Sequence, residues 1–297
     1  YAASEDKSFK GGYNVDDFGN GQNCCLIDSV GSQANRIEPL FAKARYAGLV
    51  PQITIKAGER ADAKVVNLLD AGHRAGDAIV RCTPIQRQLQ DAFKSAQRGD
   101  VSKLAAIAPT SLVFGVWDSR DTQAKLPRLV ASTIRAFNVQ RLTRSAQFNP
   151  ATEFVASGML DEAEDKQTKD AYAQRGFIHV PASSSPGGVI ATGGIRRDAT
   201  LSLGALRLLQ AGSDTDKTLS LRRYILGLAL VAFTSRPSSY LRQGCNLVPN
   251  PDKPTEFVEV RSDGTRHPAK LSHEDAIAFA LAAAKAFGIS QASDQQV

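Results

Sequence analysis

Small polar, amide and basic residues cluster directly after the first strongly apolar segment of the chain. The cluster consists of Ser29, Gly31, Ser32, Gln33, Asn35 and Arg36. A helix N-terminus presents unpaired N–H groups that bind anions, and arginine adds charge-assisted hydrogen bonds to phosphate. The cluster therefore indicates a phosphate site between a strand and a helix, with an ordinary cap and turn as the alternative. The sequence lacks GxxxxGK[ST], so no motif supports a nucleoside triphosphate site.

A basic stretch with aromatic and amide side chains occupies residues 120–148. Its six basic residues stand against Asp121 as the one acidic residue, and they are Arg120, Lys125, Arg128, Arg135, Arg141 and Arg144. Phe137 and Phe148 alternate with them along the stretch. Phosphate contacts combined with stacking are typical of grooves that bind single-stranded nucleic acid. The alternative is a solvated basic face.

A second glycine-rich turn carries two arginines, Arg196 and Arg197, directly after Gly193 and Gly194. The segment that follows predicts a helix capped by Thr200. The glycine spacing is not GxGxxG, so a dinucleotide-binding fold is not supported. The turn is therefore a second candidate phosphate site, and a hairpin with an exposed arginine pair is the alternative.

Two arrangements point toward catalysis instead. His73 and Asp77 are close enough in sequence for acid–base chemistry, although no serine or cysteine nucleophile motif accompanies them. Structural ion pairing is the alternative. Asp28 and Asp118 each end a predicted strand and are candidates for metal-assisted RNA cleavage, whereas strand-end aspartates more often serve turns.

Helices and strands are predicted in mixed order along the chain. Strands are expected at 23–30, 51–56, 110–117, 129–139 and 255–260, and helices at 39–47, 84–98, 201–210, 217–235 and 273–287. Residues 31–38 and 182–188 are expected to form loops. Because the strands and helices do not alternate strictly, an α+β fold is favoured over a doubly wound parallel sheet.

The composition is that of an ordinary globular protein. The chain has 297 residues, of which 42% are apolar and 22% charged, and its net charge is +6. This excludes collagen-like and disulfide-dense classes. The apolar run at 224–233 is far shorter than the roughly 20 residues of a membrane span, so it predicts a buried helix. The four cysteines and four histidines show no metal-ligand spacing, so neither a metal nor a cofactor is predicted.

Several blocks occur in the order of one known family. They read LIDSVGSQANRIEPLF, HRAGDAIVR, FGVWDSR, RSAQFNPA, GFIHVPA, GGIRRDATLSLGALR and YLRQGCNLV. On these blocks the chain resembles the backbone subunit of the type I CRISPR Cascade complex, in the U branch, also called G. This subunit belongs to the RAMP superfamily, and the blocks run from residue 26 to about residue 250.

The resemblance implies a modified RRM-like, ferredoxin-like palm as a single domain over residues 1–297. Inserted finger and thumb elements are expected within residues 141–190. The subunit would be a non-catalytic, cytoplasmic protein without a cofactor, and copies of it would stack into a helical filament. Its partners would be CRISPR RNA, target DNA paired to the guide, other copies of itself, and the guide-processing and other Cascade subunits, with no membrane.

Taken with the motifs, the resemblance assigns RNA contacts to a set of polar and basic residues. They are Ser32, Gln33, Asn35, Arg36, Arg74, Arg81, Arg128, Arg135, Arg141, Arg144, Arg196 and Arg197. Relatives in type III complexes cut RNA with an aspartate, so a metal-dependent ribonuclease using Asp28 or Asp118 is the alternative. A small-molecule enzyme using His73 and Asp77 is a third hypothesis.

Overall fold

A computed structural model of the protein describes residues 13–58, 64–236, 238–289 and 295–296. The α-helices in this part of the chain are α1 Val30–Ile37, α2 Ala78–Arg81, α3 Gln86–Gln97, α4 Ser102–Ile107, α5 Thr110–Phe114, α6 Lys166–Arg175, α7 Leu203–Arg207, α8 Thr215–Thr234 and α9 His273–Phe287. Short 3₁₀ helices occur at Glu38–Ala42, Ala47–Leu49, Leu68–Asp70 and Arg74–Gly76.

Most of the strands are short. They are β1 Val15–Gly19, β2 Gln22–Asp28, β3 Ile53–Ala57, β4 Lys64–Asn67, β5 Val116–Trp117, β6 Lys125–Leu126, β7 Val130–Phe137, β8 Val139–Phe148, β9 Val180–Ala191, β10 Ile195–Leu201, β11 Tyr240–Arg242, β12 Cys245–Asn246, β13 Val258–Val260, β14 Arg266–Pro268 and β15 Gln295–Gln296. The mixture of helix and strand confirms the α+β class.

The largest sheet has the strand order β1-β2-β7-β10, and β15-β3-β4 forms a smaller one. β8 pairs with β9 antiparallel, from Val139 opposite Ala191 to Phe148 opposite Val180. The two-stranded ladders β5–β6, β11–β12 and β13–β14 complete the sheets of the described residues.

The chain divides into two compact units. One contains the described residues up to Ile27 together with Ile134–Arg196, and the other contains Asp28–Thr133 and the described residues from Arg197 onward. The division falls inside β2, β7 and β10, so each of these strands begins in one unit and ends in the other. The predicted insertions at 141–190 fall within the first unit, where the long β8–β9 ladder carries α6 between its strands.

The larger unit contains one contiguous apolar core. Helices α8 and α9 contribute much of it, and both begin where the sequence places an acceptor side chain. Asp214 accepts from the N–H of Lys217, and Ser272 accepts from the N–H of Asp275, so each cap satisfies a helix-end donor. The buried residues of α8 confirm the predicted buried helix, and the Ser272 cap confirms the predicted start of the last helix.

Five local predictions were wrong. Residues 31–38 are not a loop: most of them form α1, and the predicted helix after Pro39 is replaced by 3₁₀ turns. Residues 110–117 are α5 followed by the short β5, because a fully buried apolar run has no period that separates helix from strand. Residues 182–188 lie within β9, and Ser202 rather than Thr200 caps α7.

Candidate nucleic-acid interface

Helix α1 presents a polar face directly after strand β2. Ser29 caps the helix by accepting from the N–H of Ser32 at 3.2 Å. Ser32, Asn35 and Arg36 are spaced i, i+3 and i+4, so they share one face of the helix, and Asn35 and Arg36 are exposed. Gln33 and Ala34 are buried on the opposite side. The structure thus brings three of the predicted contacts together on a single surface.

Arg36 is held by a buried carboxylate. Its Nε donates to Asp28 Oδ2 at 3.1 Å, while its side chain remains 34% exposed. The same oxygen accepts from Gln33 Nε2 at 2.6 Å. Within the described residues, this leaves the two Nη groups of Arg36 without a hydrogen-bond partner. Asp28 therefore orients a guanidinium whose outer donors stay available to a ligand.

The hydrogen bonds continue from Gln33 to a second arginine. Ser132 Oγ donates to Gln33 Oε1 at 3.0 Å and accepts from Arg197 Nε at 2.9 Å. A continuous chain therefore runs from Arg36 through Asp28, Gln33 and Ser132 to Arg197. The three central side chains are at most 3% exposed, so the chain is a buried polar network with an arginine at each end.

This network does not provide a hydrogen-bond acceptor for every donor of Arg197. Its Nη2 is buried and has no hydrogen-bond partner in the part of the chain that the structure describes. Burial lowers the pKa of Arg197, although a guanidinium keeps its charge at neutral pH. A buried charged donor without an acceptor is costly, so this site favours an anionic acceptor.

Arg74 lies at the centre of a second network. Its Nε is 2.6 Å from Glu38 Oε2, and its Nη2 donates to Asn35 Oδ1 at 3.1 Å. Nη1 donates to the carbonyl of Gly115 at 3.4 Å. The side chain is only 5% exposed, and the backbone adopts a φ of +55°, which is unfavourable for a non-glycine residue. Arg74 is therefore buried, and it positions Asn35.

Glu38 is buried beside this arginine. Burial raises the pKa of its carboxyl group to about 7, against the opposing effects of Arg74 and Arg128. The folded protein consequently binds a proton at Glu38 more tightly than the unfolded chain does, since the ordinary pKa is 4.5.

We expect the free energy of unfolding to fall as the pH rises from about 5 to about 8. The contribution of Glu38 to the free energy of unfolding is fully present below its pKa in the unfolded chain. It is lost as the pH rises through its pKa in the folded protein, about 7. Between about pH 5 and pH 8 the free energy of unfolding should drop by about 2–3 kcal/mol from this group. Urea denaturation at several pH values measures it.

Glu38→Gln should remove this part of the pH dependence, because the amide cannot titrate. Glu274→Gln is the matched control, since Glu274 is exposed and should leave the slope of stability against pH nearly unchanged. Equal slopes for the wild type and Glu38→Gln would contradict the raised pKa.

Two further predicted arginines lie in the same unit. Arg128 is exposed and packs close to Gly115, where a Cβ would meet Arg128 Cγ at 2.8 Å. Arg81 is engaged with acidic side chains, 3.7 Å from Asp118 and 3.6 Å from Asp121. Arg128 is thus available to a ligand, whereas Arg81 orders the turn that follows β5.

The other unit carries its own basic residues. The guanidinium of Arg196 lies 5.0 Å from the centre of the Phe137 ring, and Arg196 and Arg141 are exposed. Arg135 is half-buried on β7. Arg144 belongs to β8, and its side chain lies outside the described residues. The basic stretch of the sequence is therefore divided between the two units.

The residues considered for catalysis have structural contacts. Asp118 is buried and accepts from the N–H and the hydroxyl of Thr122 at 2.8 and 2.7 Å. Asp77 caps α2 by accepting from the N–H of Ile79, and it contacts the exposed ring of His73 at 3.3 Å. In the described ranges, no group of three or more His, Cys, Asp or Glu side chains is placed to hold a metal ion.

Two residues of the site were not anticipated from the sequence. Ser132 lies in an apolar strand, and Glu38 precedes a proline. Neither of them belongs to a spacing pattern, so only their contacts reveal them.

Among the helices that the structure describes, none is both long and apolar enough to cross a membrane.

Comparison with known families matches residues 1–141 to the family described as CRISPR-associated protein GSU0053. The matched segment includes Asp28, Arg36, Arg74 and Ser132, whereas Arg197 lies beyond it. No curated protein matches the chain. The first part of the chain, which contains most of the polar network, is therefore similar to a CRISPR-associated family.

Proposed function

We propose that this protein is a non-catalytic, RNA-binding backbone subunit of a type I CRISPR effector complex. Several copies would lie along one CRISPR RNA, next to the guide-processing and other Cascade subunits, in the cytoplasm. The similarity of residues 1–141 to a CRISPR-associated family supports a role in CRISPR defence. The unpartnered, buried Nη2 of Arg197 carries the proposal of an anionic ligand.

Arg36 and Arg197 would each donate to phosphate oxygens of the guide. Asp28, Gln33 and Ser132 hold the two arginine side chains in place. These side chains therefore lose little conformational entropy when RNA binds. Ser32 and Asn35 would contact the adjacent phosphates or sugars. Contacts of this kind carry no sequence information, which suits a protein that must hold guides of any sequence.

In this proposal the β1-β2-β7-β10 sheet and its helices correspond to an RRM-like palm of the RAMP superfamily. The β8–β9 ladder with the segment at 149–179 would be the thumb, which meets the guide where it pairs with target DNA. Arg135, Arg141, Arg144 and Arg196 would contact RNA from this unit. Asp28 and Asp118 would act as structural carboxylates rather than as ribonuclease residues, because each orients an arginine.

The proposal is tested by coexpressing the protein with a CRISPR array and the neighbouring subunits. We expect a large particle with several copies of the chain, a high ratio of absorbance at 260 to 280 nm, and uniform array-derived RNA on sequencing. The same particle incubated with Mg²⁺ and complementary RNA should leave that RNA intact. Recovery of an RNA-free monomer would overturn the proposal, and cleavage that disappears in Asp28→Ala or Asp118→Ala would favour the ribonuclease.

A further inference from the structure

Trp117 is the only tryptophan of the chain, and it is 56% exposed. It lies on the two-stranded β5–β6 ladder directly opposite Lys125, whose Nζ is 5.5 Å from the ring centre. An indole ring is a large apolar surface that proteins usually cover, and its π face is attractive to cations and to other flat rings. An exposed ring beside a lysine has the properties of a platform for a nucleobase next to a phosphate.

The backbone around this ring is firmly held. The buried carboxylate of Asp118 closes the turn through Thr122, and the N–H of Asp118 donates to the carbonyl of Ala124 at 2.9 Å. Gln97 Nε2 donates to the carbonyl of Thr122 at 2.9 Å, which ties the turn to α3. Trp117 therefore stands on an ordered ladder, so stacking on it would cost little conformational entropy.

The ladder adjoins the candidate phosphate contacts. Gly115, two residues before Trp117, accepts from Arg74, and Arg74 in turn donates to Asn35 on the open face of α1. The exposed Arg128 also packs against Gly115. One strand of nucleic acid that contacts Arg128 or Lys125 through its phosphates would therefore bring a base within reach of the indole.

We propose that Trp117 is a base-stacking site for one nucleotide of the bound single-stranded RNA. This inference rests on the proposed function, since it requires the same strand to be bound. Stacking on an aromatic ring tolerates every base, which is compatible with guides of any sequence. Lys125 and Arg128 would hold the flanking phosphates, and Trp117 would fix the orientation of the base between them.

Intrinsic fluorescence tests the inference directly, because Trp117 is the sole tryptophan. The purified full chain is titrated with labelled oligouridylate of about 12 nucleotides, and RNA anisotropy is followed together with tryptophan emission. We expect emission to be quenched with the same concentration dependence as binding. A ribose-phosphate oligomer without bases should still bind but should leave the emission largely unquenched.

Variants separate stacking from phosphate contact. Trp117→Ala should weaken oligouridylate binding by about 5- to 150-fold, and Trp117→Phe should recover part of that affinity. Tyr240→Ala is the matched control, since Tyr240 is also 56% exposed on a short two-stranded ladder, and it should bind normally.

The outcomes distinguish the two proposals. Binding by anisotropy without quenching, or with normal affinity in Trp117→Ala, would overturn the stacking site while the RNA-binding function stands. Emission that changes with protein concentration rather than with RNA would also overturn it and would indicate a contact between copies. No binding of RNA in any form would overturn the proposed function and the stacking site with it.

Discussion

Replacing Arg36 and Arg197 together by glutamine should weaken binding of single-stranded RNA by about 100-fold or more. Each guanidinium is expected to donate to a phosphate, and a hydrogen bond to a charged group is worth about 1.5–3 kcal/mol before coupling between the two is counted. Glutamine keeps a donor for Asp28 and for Ser132, so the buried network retains its hydrogen bonds. Fluorescence anisotropy with oligouridylate measures the change in affinity.

The salt dependence of binding gives a second readout of the same change. For a single strand, the slope of log affinity against log salt should fall by about 0.7 for every phosphate that is no longer neutralised. The double variant should therefore have a slope smaller by about 1.4. Weaker binding with an unchanged slope would mean that the arginines do not contact phosphate.

Arg98→Ala is the control for a nonspecific decrease in positive charge. Arg98 is an exposed arginine at the end of α3, outside the network that joins Arg36 to Arg197. The affinity of the Arg98→Ala variant for RNA should stay within about twofold of the wild type, since a single distant surface charge is screened by salt. If Arg98→Ala weakened binding as much as the double variant does, the affinity would reflect net charge rather than this site.

Gly227→Ala should decrease the stability of the protein substantially, although it adds only a single methyl group. A Cβ at Gly227 would lie 2.7 Å from Ala280 Cα, so α8 and α9 are in close contact at this position. The backbone of α9 cannot move away as a side chain can, so overpacking should cost about 2–3 kcal/mol. The midpoint of thermal unfolding should drop by about 4–12 °C, as measured by circular dichroism.

Gly204→Ala is the matched control for this change. Gly204 is also helical, but a Cβ there would meet only Ser202 Oγ, at 3.8 Å. Alanine has the higher helix propensity, so this variant should be neutral or more stable by up to about 1 kcal/mol. Equal effects of the two substitutions would show that helix propensity, rather than the contact between α8 and α9, determines the outcome.

Several parts of the molecule were predictable because their signals are local. Ser272 and Asp275 marked the start of α9, and the apolar run at 224–233 marked the buried part of α8. The strand before Ser29 also followed from residue types alone. In each case a cap, a period or an apolar run within about ten residues carried the information.

The sequence by itself determined the α+β class, the main helices and strands, and the concentration of arginines and amides near β2, β7 and β10. Tertiary structure alone decided which of these side chains are exposed and which are buried. Gln33 and Arg74, both predicted RNA contacts, are buried and hold other side chains in place. Ser132 joins Gln33 to Arg197, which lies 65 positions further along the chain. Burial and hydrogen bonding between distant residues depend on how the elements pack, and no local pattern encodes that packing.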